Sequence, residues 1–249
     1  PITKRADRYQ KKLEKSVLND ADQIVVVGEQ MKKEFLRLNK ESNIEVITNG
    51  YDSEIALHTT LDKDFSILHV GSINSDRSHE SFYQALSELV HENSAFKESL
   101  RLKFIGKVDY IARGYIITYE LEPLTIFTPY LPYHEISDIQ SKAQLLYLPI
   151  NNSPNAKGIL TGKFFEYLAA KRPVLCQGPV DGDVSSILKE TNTGQIFDFK
   201  DKDGIKKEIL KQFVHYQKGN NDFKSKDLEK YSRKRLTKQL DRLILKLNQ

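Results

Sequence analysis

The chain of 249 residues is long enough for one large α/β domain, or for one domain and part of another, at roughly 150 residues per domain. Its 39% hydrophobic and 29% charged residues exclude collagen-like, disordered and disulfide-stapled classes. The single cysteine, Cys176, permits no internal disulfide, which favours a reducing, cytoplasmic location. The sequence also lacks the clustered Cys and His ligands of a structural zinc site.

The net charge of +4 is unevenly distributed. Residues 199–249 carry 15 Lys/Arg against 7 Asp/Glu, a net +8, so the remainder sums to −4. Such a basic end is either a solvated helical surface or a contact for phosphates or an anionic membrane. No apolar run reaches the roughly 20 residues of a bilayer span, and a signal peptide is not expected from the first residues of the sequence. Because the first residue is Pro1 and the one methionine is Met31, we expect a piece of a longer protein or a processed chain.

Apolar strands and helices alternate along the chain. The first part predicts helix 3–18, strand 23–27, helix 29–38, strand 44–47, a turn at 48–52 and a connector over 51–64. The second part predicts strands at 66–70, 102–105, 124–127, 144–148, 173–176 and 194–197. Its predicted helices are 78–91, 108–119, 134–142, 162–170, 183–190 and two basic helices that close the chain. This alternation indicates a parallel, doubly wound sheet, in which ligands bind at the carboxyl ends of the strands.

Common nucleotide-binding and hydrolase motifs are absent. The twelve glycines include no Gly-x-Gly pair, and neither a phosphate loop ending in Gly-Lys-Ser/Thr nor a Gly-x-Ser-x-Gly turn occurs. Dehydrogenase, ATPase and serine hydrolase functions therefore lose their main support.

One segment, residues 157–175, suggests an anion site. Glycines and a threonine before a predicted helix leave free N–H groups at its positive end, where a phosphate is favoured. Lys163 adds a cation, and Glu166, one turn later, presents a carboxylate that suits a ribose diol. The alternative is that Lys163 and Glu166 form an ordinary surface ion pair.

The same segment carries a resemblance to a known family. Residues 162–175 (GKFFEYLAAKRPVL) resemble the donor-site signature of GT-B glycosyltransferases of the group 1, or family 4, type. Other pieces match the family in order: 21–32 (ADQIVVVGEQMK), 46–52 (VITNGYD), 67–72 (ILHVGS), 104–107 (FIGK) and 231–233 (YSR). The resemblance implies an α/β, Rossmann-like C-terminal domain with a partial N-terminal segment. Residues 1–52 would be a remnant of the N-terminal acceptor domain, 53–230 the donor-binding domain, and 231–249 a helix that packs back toward the N-terminal part.

The resemblance also implies roles for individual residues. Glu166 would bind the ribose of a nucleotide-sugar, while Lys163 and Arg77 would lie near its diphosphate and stabilise the leaving group. Arg77 has a simpler interpretation as a solvated loop residue. The full set of donor-site candidates is Gly71, Ser72, Arg77, Gly158, Thr161, Gly162, Lys163 and Glu166, with Tyr130, Leu131 and His134 as a candidate base pocket.

Two positions depart from the family pattern. Many relatives have a second glutamate where this chain has Gly158, and an arginine where it has Ser72. The first departure affects binding of the transferred sugar, and the second affects the positive charge available to the phosphates. These departures motivate a different hypothesis, a noncatalytic nucleotide-sugar-binding or interaction module.

The expected activity is that of a hexosyltransferase-type enzyme, retaining and without an obligatory metal or other cofactor. It would transfer a sugar from a UDP- or GDP-sugar to a glycan or lipid-linked acceptor in cell-surface polysaccharide synthesis. The acceptor site would lie in a missing N-terminal domain. A GT-B-like sugar-nucleotide epimerase is the alternative enzyme, peripheral contact with the inner face of a membrane is a further hypothesis, and nucleic acid is not expected as a partner.

The remaining reactive residues have structural interpretations. His69, on an apolar strand, is expected to pack, and Cys176 to fill a buried site. Asp183 is expected to cap the helix that it precedes. The remaining histidines, expected at the surface, are His58, His79, His91 and His215.

Overall fold

The computed structural model describes residues 3–52, 60–219 and 223–247. The fold divides into two compact units: the chain up to Asp52 together with the chain from Glu229 onward, and the chain between them. Part of the predicted connector, 53–59, and with it His58, lies outside the described residues. No helix in the described ranges is long and apolar enough to cross a bilayer.

The first unit pairs two short parallel strands and carries three helices. Its elements are α1 (Lys4–Asp20), β1 (Ile24–Val26), α2 (Glu29–Leu38), β2 (Ile44–Val46) and α10 (Arg233–Leu247). The strands align Ile24 with Ile44. Tyr51 donates its N–H to the carbonyl of Tyr231 at 3.1 Å and accepts from the N–H of Arg233 at 2.9 Å. These bonds join the end of the N-terminal segment to the start of α10.

The second unit is a six-stranded parallel sheet with helices around it. Its strands are β3 (Phe65–Val70), β4 (Leu100–Ile105), β5 (Thr125–Thr128), β6 (Leu145–Pro149), β7 (Val174–Gln177) and β8 (Gly194–Phe197). Its helices are α3 (Glu80–Glu92), α4 (Ser94–Ser99), α5 (Tyr110–Thr118), α6 (Tyr133–Lys142), α7 (Gly162–Ala169), α8 (Asp183–Thr191) and α9 (Lys202–Gln217). The strand order is β5-β4-β3-β6-β7-β8, and every pairing is parallel. The predicted α/β, doubly wound fold is confirmed.

The core lies on both sides of the central strands. Every residue of β3, β6 and β7 is buried, as expected of parallel strands that are covered on both faces. On one face, Phe65 contacts Phe96 and Phe213 with ring centroids 5.8 and 5.4 Å apart. Full burial of each such side chain stabilises the fold by about 1.5–3 kcal/mol.

The fold adds one helix to the predicted set and corrects two local expectations. The pattern between predicted helix 78–91 and strand 102–105 does not reveal α4, which begins where the Asn93 side chain accepts from the N–H of Phe96 at 3.0 Å. Asp183 is not the cap of α8: Gly182 is, and Asp183 is a buried residue of the first turn. His79 is not at the surface but 6% exposed, and its buried Nε2 donates to the carbonyl of Ile150 at 2.7 Å.

The expected burial of His69 and Cys176 and the expected exposure of two other histidines are confirmed. His69 and Cys176 are buried, and burial raises the pKa of the Cys176 thiol, as expected for an inert packing residue. His91 and His215 are exposed.

The topology opens a gap at the carboxyl edge of the sheet. The chain builds β3, β4 and β5 to one side and then returns to place β6 on the other side of β3. The register of β3 with β4 continues to Val70, but its register with β6 ends at Leu68. Beyond that residue β3 and β6 separate, and such a reversal of strand order is where open α/β sheets bind ligands.

Candidate functional site

A glycine turn at the end of β3 forms the floor of the site. Gly71 has φ +106°, a conformation that residues with a side chain rarely adopt, and a Cβ at Gly71 would overlap the Nζ of Lys163. A Cβ on Gly106, the residue after β4, would lie 2.8 Å from the carbonyl oxygen of Gly71. The absence of both side chains therefore lets the lysine of α7 lie directly on the backbone of the turn.

Lys163 is a half-buried cation in the first turn of α7. Burial lowers the pKa of its ammonium from 10.5 to about 8; the Glu166 carboxylate opposes this shift and Arg77 adds to it. Within the described ranges, no carboxylate oxygen lies within 4.0 Å of Lys163, Glu166 included. The ammonium thus carries its charge without an ion-pair partner among the described residues.

Arg77 provides a second cation in the loop after β3. Its Nε donates to Oδ1 of Asn151 at 2.6 Å, and its NH1 donates to the carbonyl of Ser72 at 3.3 Å. Both partners are neutral, so the guanidinium is oriented without losing its charge. Arg77 is half-buried, which differs from the solvated loop residue of the simpler interpretation.

Tyr130 brings the loop after β5 into the same group. Its hydroxyl and that of Ser72 form a hydrogen bond of 2.7 Å. A Cβ on Gly106 would lie 3.0 Å from the Cε1 of Tyr130, so the ring passes close to both glycine turns. The structure therefore brings together Gly71, Ser72, Arg77, Tyr130 and Lys163 from positions far apart in the sequence.

Two buried side chains fill the gap between β3 and β6. The Nδ1–H of His69 donates to the carbonyl of Tyr147 at 3.0 Å, whereas its Nε2 is buried without a partner in the described part of the chain. Burial, with Lys163 and Arg77 nearby, lowers the pKa of His69 to about 3, so the imidazole is neutral. The Tyr167 hydroxyl accepts the N–H of Val70 at 2.9 Å and thereby fixes α7 against the end of β3.

Other candidates lie at the edges of this group or outside it. Thr161 caps α7 by accepting from the N–H of Phe164 at 3.4 Å, so one N–H of the first turn already has a partner within the chain. Gly162 is exposed, and a Cβ on it would meet nothing within 4 Å, which leaves open space beside Lys163. Gly158 ends a short 3-10 turn. This turn lies against the loop after β7, because a Cβ on Gly182 in that loop would lie 2.8 Å from the carbonyl oxygen of Lys157.

The candidate base pocket is only partly assembled. Tyr130 lies at the glycine turns, and Leu131 is half-buried beside it in the chain. The His134 side chain is 81% exposed in the first turn of α6, with Glu135 at 3.9 Å. The structure thus brings Tyr130, but not His134, to the cation group.

Sequence reasoning missed three residues that build this site. Asn151 orients Arg77, and Tyr167 anchors α7. His79 donates a hydrogen bond to the carbonyl of Ile150, the residue before Asn151. Asn151 lies three residues after the predicted strand 144–148, so the tendency of ligands to bind at the carboxyl ends of strands was a usable signal for it. Tyr167, among apolar residues of α7, gave no signal beyond that of a core residue.

The arrangement suits a ligand with adjacent negative charges. Two unneutralised cations, hydroxyl donors and glycine backbone converge on one edge of the sheet, while Glu166 lies one turn beyond Lys163. Phosphate groups are bound by such combinations. Across the described ranges no three His, Cys, Asp or Glu side chains come together as ligands for a metal ion.

Comparisons with solved structures show the same fold. The chain is similar to sucrose-phosphate synthase (tll1590) from Thermosynechococcus elongatus, with 16% identity, TM-score 0.71, and coverage of 98% of this chain and 62% of that one. It is similar to Anabaena Alr3699/HepE in complex with UDP-glucose, with 12% identity, TM-score 0.71, and coverage of 96% and 69%. It is also similar to the pneumococcal O-GlcNAc transferase GtfA in complex with UDP and GlcNAc, with 14% identity, TM-score 0.67, and coverage of 97% and 47%.

The chain spans less than two thirds of the length of the first and third of these structures. No curated protein sequence matches it. A family model does: the model described as glycosyl transferases group 1 matches residues 51–235, well over half of the chain. The predicted family is confirmed, and the chain belongs to the group 1 glycosyl transferases.

Proposed function

We propose that this chain is the nucleotide-sugar donor half of a glycosyltransferase, and that its donor binds at the carboxyl edge of β3 and β6. The observation that carries the proposal is the pair of cations, Lys163 and Arg77, held beside the Gly71 turn without a carboxylate partner in the described ranges. A diphosphate supplies the missing charge. The similar Anabaena structure holds UDP-glucose and the pneumococcal one holds UDP and GlcNAc, which supports a nucleotide ligand for this fold.

The proposed roles follow from position in the site. Lys163 and Arg77 bind the diphosphate and stabilise its charge as the glycosidic bond breaks, without proton transfer. Glu166, one turn further along α7, accepts hydrogen bonds from the ribose hydroxyls. Tyr130 covers the glycine turns and, with Leu131, borders the base. His134 is too exposed to share that role in this conformation.

The whole enzyme would be a retaining hexosyltransferase that needs no metal. Charge stabilisation of the leaving diphosphate by the two cations would replace a metal ion. We further propose that residues 1–52 with the C-terminal helix belong to the acceptor-binding domain, the rest of which completes the active site. The acceptor would be a glycan or a lipid-linked sugar in polysaccharide assembly, with the enzyme in the cytoplasm.

Calorimetric titration with UDP, GDP, UDP-glucose and GDP-mannose tests the donor site. We expect saturable binding to one nucleotide series and a loss of about tenfold or more in Glu166→Ala, since a carboxylate that accepts two ribose hydroxyls is removed. Glu98→Ala is the matched control, because Glu98 is exposed in α4, at the opposite edge of the sheet. Absence of binding to all four nucleotides would refute the proposal for this chain.

A noncatalytic binding module is the second candidate, favoured by Gly158 and Ser72 where relatives have charged residues. It predicts nucleotide-sugar binding but no transfer when the chain is joined to a complete acceptor domain. Release of UDP or GDP in the presence of an acceptor, above the rate without it, would decide for the enzyme.

A further inference from the structure

The orientation of Arg77 depends on a residue in a different loop. The Nε of Arg77 donates to Oδ1 of Asn151 at 2.6 Å, across 74 positions of sequence, in the gap between β3 and β6. A long arginine side chain in a loop otherwise samples many rotamers, and fixing it requires a partner that is itself rigid.

Asn151 is held rigidly by the backbone on both sides. Before it, Ile150 donates its N–H to the carbonyl of Gln177 at 2.9 Å and accepts from His79 at 2.7 Å. After it, the N–H of Asn152 donates to the carbonyl of Asp76 at 2.8 Å. The Asn152 bond and the Arg77–Asn151 bond both connect this loop to the turn that contains Arg77.

The bond to Asn151 leaves the useful part of the guanidinium free. Of five N–H donors, one is taken by Asn151 and one by the carbonyl of Ser72. The other three have no partner in the described part of the chain, enough for two bonds to a phosphate. Holding Arg77 through Nε therefore presents its two terminal nitrogens to a ligand.

The chemistry of the amide matters as much as its position. An amide oxygen orients the guanidinium without neutralising it, whereas a carboxylate at the same place would form an ion pair and compete with a phosphate. The amide thus preserves the net positive charge of the site.

We propose that Asn151 is a positioning residue, which aims Arg77 at the diphosphate of the nucleotide-sugar and leaves its charge intact. This inference rests on the proposed function, since it concerns the same ligand. Asn151 itself need not touch the substrate.

A double-mutant cycle tests the inference with UDP or GDP, whichever the wild-type protein binds. We expect Asn151→Ala to weaken binding about 5- to 20-fold when Arg77 is present and by less than twofold in an Arg77→Met background. Asn152→Ala is the matched control: its exposed side chain is removed while the backbone bond to Asp76 stays, and affinity should not change. Thermal unfolding establishes that each variant is folded.

Each outcome decides a separate point. Equal losses in the two backgrounds, or no loss with Arg77 present, would overturn the role of Asn151 while leaving the donor site standing. A wild-type protein that binds none of the four nucleotides would overturn the proposed function and, with it, this inference.

A second variant keeps the inference testable if Asn151→Ala does not fold. Asn151→Asp retains an acceptor oxygen but neutralises Arg77, so we expect a folded protein that binds the nucleotide more weakly and with a shallower dependence on salt. Unchanged affinity and salt dependence in this variant would contradict the proposed need for a neutral partner.

Discussion

Lys163 should make donor binding pH-dependent in a range where an ordinary lysine would not. Burial against the Gly71 turn lowers the pKa of its ammonium from 10.5 to about 8, so about half of the free protein is deprotonated there at pH 8. A bound diphosphate favours the ammonium form and raises this pKa again. Binding is therefore expected to take up protons from solution.

The size of the effect follows from a pKa of about 8. Proton uptake should be about 0.1 per site at pH 7, about 0.5 at pH 8 and about 0.8 at pH 8.5, and affinity should fall about fourfold between pH 7 and 8.5. Affinity falls as pH rises because the ligand binds the protein in which Lys163 is protonated, and this form becomes scarcer.

Calorimetry in buffers of different ionisation enthalpy measures this uptake, with UDP-glucose or GDP-mannose as ligand. Lys163→Arg is the control, since an arginine stays protonated and should bind without proton uptake. Intact wild-type binding with no uptake at pH 8 and 8.5 would refute the placement of Lys163 beside the diphosphate.

The lowered pKa of Lys163 also affects stability, which changes with pH in the opposite direction to binding. Between about pH 8 and 10.5 the unfolded chain binds more protons at Lys163 than the folded protein does, so this residue makes stability rise with pH. Below pH 8 the buried ammonium destabilises the fold by at most about 3.5 kcal/mol, at about 1.4 kcal/mol per pH unit between pH 8 and 10.5. Lys163→Met should therefore raise the midpoint of thermal unfolding at pH 7 while weakening nucleotide binding, and a lower midpoint would contradict this reasoning.

Three further variants test the site. Glu166→Gln should lower affinity for UDP or GDP about tenfold and remove any preference over the 2′-deoxy nucleotide; a retained preference in competition titrations would argue against the ribose contact. Gly71→Ala should abolish binding and destabilise the protein by about 2 kcal/mol in urea, because of its positive φ and the overlap with Lys163; wild-type affinity would contradict the close approach. Tyr167→Phe should lower the free energy of unfolding by about 1–3 kcal/mol, since the buried Val70 N–H loses its acceptor. An unchanged midpoint of urea unfolding would exclude this anchoring role.

Local patterns in the sequence were sufficient for most of the fold. The run 145–149 is apolar throughout because both faces of a central parallel strand are buried, and this signal does not depend on distant residues. The similar run 24–26 misleads, since Val25 of that two-stranded sheet is 43% exposed. Alternation with helices then restricts the topology to a parallel, doubly wound sheet. Lys163 and Glu166 were recognisable for a similar reason, since their spacing on one helix turn is a local property.

The partners of these residues were decided only by tertiary structure. His79 and Asn151 lie next to polar residues typical of surface loops, yet His79 donates to the carbonyl of Ile150 and Asn151 accepts from Arg77 where β3 and β6 separate. No local pattern encodes a bond between residues more than 70 positions apart, because the chain order does not specify which loops the sheet brings together. The sequence alone thus determined the family, the strands and the charged helix turn, whereas the burial of Lys163 and the orientation of Arg77 arose from packing.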